Sequence, residues 1–191
     1  MQDPSFPTDI GNTSVRIGLI RHFPVVEALP KGWLTASELD AWRRRYDASG
    51  VLPVETDLSS IRWRHCISSD LSRAVETART IYPGEVEVTS LLREPDFQFR
   101  TSGLRLPVLA WRLMLAISWL IGFRSQGIHR DDFQQRVIAV ADLVNRRAGD
   151  TLVVSHAGMM RYLSAELRRR GFVGPRLKIP HHAKLYLYER S

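Results

Sequence analysis

The apolar and polar positions of the chain form short runs typical of buried strands, separated by longer segments with helical spacing. Residues 15–20 (VRIGLI) and 151–155 (TLVVS) are rich in β-branched or apolar residues, with little polar alternation. Residues 64–68 (RHCIS) predict a second strand. Residues 85–91 are a further short strand candidate. Residues 183–188 (AKLYLY) alternate and predict a last strand. Continuous apolar runs of this length indicate strands that are covered on both faces.

Helices are predicted between these strands, over residues 36–48, about 70–81, 107–122, 131–147 and 157–170. Thr35-Ala-Ser-Glu38 has the spacing of a capping box before the first helix, and Ser69 or Asp70 is placed to cap the second. The helix over 131–147 is amphipathic, with expected inward residues Phe133, Val137, Val140, Ala141 and Val144. Strands interleaved with helices predict an α/β fold, a three-layer α/β/α sandwich with a mostly parallel central sheet.

Length and composition suit a single globular domain. The chain has 191 residues, of which 44% are hydrophobic and 25% are charged. Residues 1–14 are expected to form a flexible leader, and residues 15–191 the domain. Cys66 is the only cysteine, so a reducing, cytoplasmic location is expected. The net charge of +7 favours anionic partners. Because no basic run is interleaved with aromatic residues, binding to nucleic acid is not expected.

One segment, 107–123 (PVLAWRLMLAISWLIGF), is almost wholly apolar. It is near the lower length limit for a membrane span, and Arg112 interrupts it, so stable membrane insertion is not expected. We predict a buried or partner-facing helix within an apolar helical insertion near 104–124. It could form a hydrophobic wall for a substrate, and an exposed face on it would favour a homodimer.

Candidate chemistry lies at the ends of three predicted strands. Arg21 and His22 directly follow the first strand, and His156 follows the strand over 151–155. Arg73 falls in the first turn of the helix after the second strand, where free N–H groups favour an anion. Because ligand sites of open parallel sheets lie at the carboxyl ends of the strands, these groups are expected to converge. Arginine's forked donors match phosphate oxygens, so the sequence predicts a pocket for a phosphate-like anion.

The order RH, then SSxxxRAxxTA, then an acidic position, then SHAG resembles the histidine phosphatase superfamily, over roughly residues 15–170. The resemblance implies a phosphoglycerate mutase-like fold and a histidine acid phosphatase-type phosphoric monoester hydrolase. It implies that His22 is the nucleophile and becomes phosphohistidine, while Arg21 and Arg73 hold the phosphoryl oxygens. It further implies that His156 stabilises developing charge and that Glu94 is the general acid. The expected substrate is a small phosphomonoester, with no cofactor and no metal.

The sequence departs from the family pattern beside the nucleophile. Phe23 and Pro24 stand where the family usually has glycine, so Phe23 is expected to contact the substrate and reshape the pocket mouth. Residues 23–29 (FPVVEAL) replace the Glu-Ser pair of the mutase branch. Two alternatives therefore stay open. They are phosphoglycerate mutase-type transfer, which this departure weakens, and a catalytically idle protein that binds phosphate or a partner.

Some side chains near these motifs have ordinary explanations. Glu76, Glu85 and Glu87 are alternatives to Glu94 as the acid. Thr77 is expected to pack or to hydrogen-bond within its own helix. His181 and His182 are adjacent on an extended segment and would point in opposite directions, so they are not predicted to chelate a metal.

Overall fold

The computed structural model describes residues 14–95, 103–121 and 130–191. Its strands are β1 (Val15–Arg21), β2 (Trp33–Leu34), β3 (His65–Ser69), β4 (Val86–Thr89), β5 (Leu106–Pro107), β6 (Thr151–Ser155) and β7 (Leu185–Arg190). Its helices are α1 (Ala36–Ala48), α2 (Ser72–Ile81), α3 (Val108–Ile121), α4 (Arg130–Arg146) and α5 (Ala157–Arg169), with a 3₁₀ turn over Ser90–Leu92.

The central sheet of the described residues has five strands in the order β4-β3-β6-β1-β7. The first four are parallel to one another, and β7 runs antiparallel to β1. In the parallel register Arg21 lies opposite Ser155, and Ser68 lies opposite Val154. The carboxyl ends of β1, β3 and β6 therefore lie side by side at one edge of the sheet.

Helices cover both faces of this sheet. On one face Leu19 and Val153 pack with side chains from α4 and α5, in a core that holds all five of the predicted inward residues of α4. On the other face Ile20 and Val154 pack with Ala78 of α2, and Trp63 belongs to the same cluster. β1, β3 and β6 thus bury side chains on both faces, which explains the continuous apolar runs of β1 and β6. The predicted three-layer α/β/α sandwich with a mostly parallel sheet is confirmed.

A smaller unit formed by α1 and α3 lies beside the sheet. Leu39 of α1 and Trp111 of α3 share a separate apolar cluster. The paired strands β2 and β5 pack against this cluster through Leu34 and Leu106. The Trp111 indole N–H donates to the Leu34 carbonyl at 2.8 Å. On the outer side of α3, Leu109, Leu113 and Ile117 are exposed. Within the described ranges, no helix is both long and apolar enough to cross a membrane.

The two predicted helix starts have different outcomes. The capping box of α1 is confirmed, since the Glu38 N–H donates to Thr35 Oγ1 at 3.2 Å and the Thr35 N–H donates to the Glu38 carboxylate at 2.7 Å. The predicted cap of α2 is wrong, because that helix begins at Ser72 with no side-chain cap. The Asp70 carboxylate binds the Arg93 guanidinium instead, through two hydrogen bonds of 2.7 Å.

Two other sequence predictions need comment. The strand predicted over 85–91 is shorter, because the chain turns into the 3₁₀ segment after Thr89. The predicted leader lies outside the described residues except for residue 14, as does the end of the apolar insertion beyond residue 121.

Candidate active site

Two buried histidines occupy adjacent strand ends. His22 follows β1 and His156 follows β6, and their ring centroids are 5.2 Å apart. The His22 N–H donates to the Ser155 carbonyl at 3.0 Å, which extends the sheet ladder to the site. The two side chains are almost completely buried. The parallel pairing of β1 and β6 therefore brings together two histidines that are 134 residues apart in the chain.

The His22 ring has a defined proton position. Its Nδ1 lies 2.6 Å from the Phe23 carbonyl oxygen, which can only accept a hydrogen bond, so Nδ1 carries the proton. Burial lowers the pKa of His22 to about 3, with further lowering by the Arg73 and Arg21 guanidiniums and by His182. The ring is therefore neutral near pH 7, and Nε2 keeps an unprotonated lone pair.

Three buried nitrogens on neighbouring residues of the site have no hydrogen-bond partner among the described residues. They are Arg21 Nε, Arg73 Nε and His156 Nδ1. Buried polar groups in proteins are nearly always paired, so three unpaired nitrogens at one strand edge fit an oxyanion ligand. The other ring nitrogen of His156, Nε2, lies 2.9 Å from Ser69 Oγ. Burial, followed by the charge of Arg73, lowers the pKa of His156 well below its usual value.

Backbone and acidic groups fix the two arginines. Arg21 Nη1 donates to the Pro180 carbonyl at 3.1 Å. Arg73 Nη1 donates to Asp47 Oδ1 at 2.6 Å, and the Arg73 guanidinium lies over the Tyr46 ring, 5.2 Å from its centroid. The last turn of α1 thus holds a guanidinium that projects from the first turn of α2.

Glu94 lies against the amino end of α5. Its Oε1 accepts the Gly158 N–H at 2.7 Å, and a Cβ on Gly158 would come within 2.6 Å of Glu94 Oε2. The glycine of SHAG therefore permits this close approach. Burial raises the pKa of Glu94, although the Gly158 N–H and the nearby arginines act in the opposite direction. Glu94 lines a cavity of about 360 Å³ together with Arg73, Tyr46 and Asp47.

The other acid candidates lie on the surface of the described structure. Glu76, Glu85 and Glu87 are exposed, and Glu87 pairs with Arg147. None of the three lines the cavity that contains Glu94 and Arg73. The geometry therefore favours Glu94 among the four carboxylates.

Thr77 connects the backbone beside His22 to α2. As expected, its hydroxyl donates within the helix, to the Arg73 carbonyl at 2.7 Å. The same oxygen accepts the Phe23 N–H at 2.8 Å. The Phe23 side chain is fully buried, so it presents no exposed surface to a ligand in this arrangement. Contact between Phe23 and a substrate stays a prediction.

Sequence reasoning missed His182 as part of the site. His182 Nδ1 donates to the His22 carbonyl at 2.7 Å, and the two ring centroids are 5.0 Å apart. The adjacent Ala183 N–H donates to the Arg21 carbonyl at 3.0 Å. The segment before β7 thus supports the end of β1. Nothing in the spacing of His181 and His182 signals this contact, because it depends on the long-range pairing of the segment before β7 with the end of β1.

The fold and the site together define a phosphoglycerate mutase-like α/β protein with two histidines and two arginines at one sheet edge. A model of the histidine phosphatase superfamily (branch 1) matches residues 53–190, and the chain belongs to this superfamily. The matched residues include Arg73, Glu94 and His156. Arg21 and His22 precede the matched range, so their place in the site rests on the contacts of β1 with β6.

Solved structures share the fold at low sequence identity. Bacillus stearothermophilus YhfR is 22% identical with a TM-score of 0.56, and the match covers 91% of this chain and 90% of that one. Mycobacterial glucosyl-3-phosphoglycerate phosphatase is 20% identical with a TM-score of 0.52, covering 90% and 88%. Phosphoglycerate mutase from Bacillus anthracis is 17% identical with a TM-score of 0.53, covering 93% and 88%. A search of curated proteins finds no match.

Proposed function

We propose that this protein hydrolyses small phosphomonoesters without a metal, through a phosphohistidine on His22. The observation that carries the proposal is the hydrogen bond from His22 Nδ1 to the Phe23 carbonyl. With the proton on Nδ1, Nε2 keeps its lone pair and lies in a pocket lined by cationic side chains. Attack on phosphorus requires such an unprotonated nitrogen. Phosphoryl transfer depends mainly on positioning and charge neutralisation, and Arg21 and Arg73 can supply both.

In the first step Nε2 of His22 attacks phosphorus, and the bond between phosphorus and the ester oxygen breaks. The leaving oxygen takes the proton of the Glu94 carboxyl group. Arg21 and Arg73 bind the phosphoryl oxygens through their buried nitrogens. If the Ser69 hydroxyl donates to His156 Nε2, then His156 Nδ1 carries a proton and is a further donor to these oxygens.

In the second step water attacks the phosphohistidine, and the Glu94 carboxylate accepts a proton from that water. The P–N bond breaks, inorganic phosphate leaves, and His22 returns to its neutral form. Burial supports both roles of Glu94, because a raised pKa keeps more of the acid form at a given pH and makes the carboxylate a stronger base. The single cysteine, Cys66, is a buried free thiol, which supports the proposal of a reducing, cytoplasmic location.

The test is hydrolysis of a panel of phosphomonoesters in EDTA by the wild type, His22→Ala and His65→Ala. His65 lies at the opposite end of β3 from the site, with Nε2 3.1 Å from the Ala148 carbonyl, and is a matched histidine control. We expect turnover by the wild type and His65→Ala, and none by His22→Ala. Equal turnover by His22→Ala would contradict the proposal. A folded wild type that binds phosphate but hydrolyses nothing would favour the mutase or the idle alternative.

A further inference from the structure

A second cavity, of about 570 Å³, opens beside the candidate active site between α1 and α3. Arg21, which directly precedes His22 in the chain, is one of its lining residues. Leu39 and Trp42 of α1 and Trp111 of α3 line the interior. The cavity is thus lined mostly by apolar side chains, together with Arg21 of the candidate active site and two further arginines, Arg43 and Arg112.

The indole N–H groups of its two tryptophans are hydrogen-bonded to backbone carbonyls. Trp42 Nε1 donates to the Ala28 carbonyl at 2.8 Å, and Trp111 Nε1 donates to the Leu34 carbonyl at 2.8 Å. Because each indole N–H is paired in this way, the rings present apolar surface to the cavity. A hydroxyl group that entered between the two rings would find no hydrogen-bond partner on either indole.

This apolar cavity adjoins the cavity of about 360 Å³ that contains Glu94 and Arg73. Trp42 and Arg43 line both. Arg21 lines the apolar cavity and Arg73 lines the other, so a phosphoryl group bound by both arginines would have its substituent within reach of the apolar cavity. Arg43 and Arg112 add positive charge along the walls, which attracts a dianionic ester.

Two exposed apolar side chains line the same cavity. Leu29 is 69% exposed and Ile179 is 77% exposed. Ile179 lies one residue before Pro180, whose carbonyl binds Arg21. An apolar substituent in the cavity would remove part of both side chains from water, which favours its binding.

We propose that this cavity binds the leaving group, and that the substrates are phosphomonoesters of apolar alcohols in preference to sugar or glycerate phosphates. This inference rests on the proposed function, since it specifies the substrate class of the same site.

The test compares hexyl phosphate with ethyl phosphate, because the two leaving groups have similar chemistry and differ mainly in apolar surface. We expect kcat/KM of the wild type to be at least about tenfold higher for hexyl phosphate. The variants Leu29→Ser and Ile179→Ser should each reduce this ratio. Val173→Ser is the control, because Val173 is 78% exposed and does not line the cavity. It should keep the wild-type ratio.

A ratio near one in the wild type, or a ratio unchanged in both cavity variants, would overturn this inference while leaving the proposed hydrolysis intact. Failure of the proposed hydrolysis gives a different result, namely no turnover of either ester. In that case the dissociation constants of hexylphosphonate and ethylphosphonate still test the cavity. Tighter binding of hexylphosphonate, weakened by Ile179→Ser, supports the apolar subsite, and equal binding refutes it.

Discussion

Asp47, the penultimate residue of α1, binds the Arg73 guanidinium at the first turn of α2 across 2.6 Å. The Arg73 side chain is almost completely buried, whereas Asp47 is partly exposed. The Asp47 carboxylate therefore fixes the orientation of the buried Arg73 guanidinium. Because Asp47 is partly exposed, solvent screens the repulsion between its carboxylate and an incoming anion. Because α1 also contributes Leu39 and Trp42 to the apolar cavity, one helix positions groups on both sides of the proposed scissile bond.

Replacement of Asp47 tests whether this contact positions Arg73. We expect Asp47→Ala to lower kcat/KM for a phosphomonoester by about tenfold, since a hydrogen bond to a charged group is worth roughly 1.5–3 kcal/mol. Asp47→Asn should retain most of the activity, because its amide oxygen can still accept from Nη1. Steady-state kinetics check both variants. If Asp47→Ala has wild-type kinetics, the contact does not position Arg73.

Glu94 is expected to matter most when the leaving group needs a proton. Glu94→Gln should reduce kcat/KM, which reports the transfer of the phosphoryl group to His22, by about 10²–10⁴-fold for an alkyl phosphate. The loss should be much smaller for 2,4-dinitrophenyl phosphate, whose leaving group departs as a stable anion. Glu87→Gln is the control, because Glu87 pairs with Arg147 outside the cavity. Equal losses with both esters would show that Glu94 does not act as the acid.

The pKa of His22 predicts how stability changes with pH. The folded-state pKa, about 3, lies below the ordinary value of 6.5, so the unfolded chain binds more protons between these values. The free energy of unfolding should therefore fall as the pH decreases from 6.5 toward 3, by at most about 1.4 kcal/mol per pH unit from this group. In His22→Asn this dependence is removed. Denaturant unfolding at pH 7 and pH 5 should give a smaller difference for the variant, and an identical difference would refute the shift.

Thr77 is expected to support the backbone beside His22. Thr77→Val removes the acceptor of the buried Phe23 N–H, so it should lower the free energy of unfolding by about 1–3 kcal/mol. Thr77→Ser keeps the hydroxyl and should lose less. Denaturant unfolding measures both. Destabilisation by Thr77→Val that is no larger than that by Thr77→Ser would contradict the role of the hydrogen bond.

The convergence of the main site groups could be predicted from sequence, because it follows from a property of parallel sheets. His22, Arg73 and His156 each follow a buried apolar run or open the next helix, and the carboxyl ends of parallel strands meet at one edge. The strand pattern alone was enough to place these groups together. The glycine of SHAG could be noted in the sequence, but its role became clear only from its contact with Glu94.

Other parts of the site depend on contacts that the local pattern does not encode. His182 reaches His22 because β7 and the segment before it lie beside β1, and alternation within 183–188 does not say which strand is the partner. Asp47 reaches Arg73 through the packing of α1 against α2. Asp70 has the chemistry of a helix cap, but a guanidinium 23 residues away binds it instead. Long-range ion pairs of this kind override a local capping preference.

The central claim is a covalent intermediate on His22, and its direct test is to trap that intermediate. The protein would be mixed with hexyl phosphate, quenched in alkali, digested and analysed by mass spectrometry. We predict one phosphoryl group on the peptide that contains His22, stable in alkali, lost in acid and absent from His22→Ala. Turnover with no phosphorylated peptide, or with the phosphoryl group on another residue, would contradict the account.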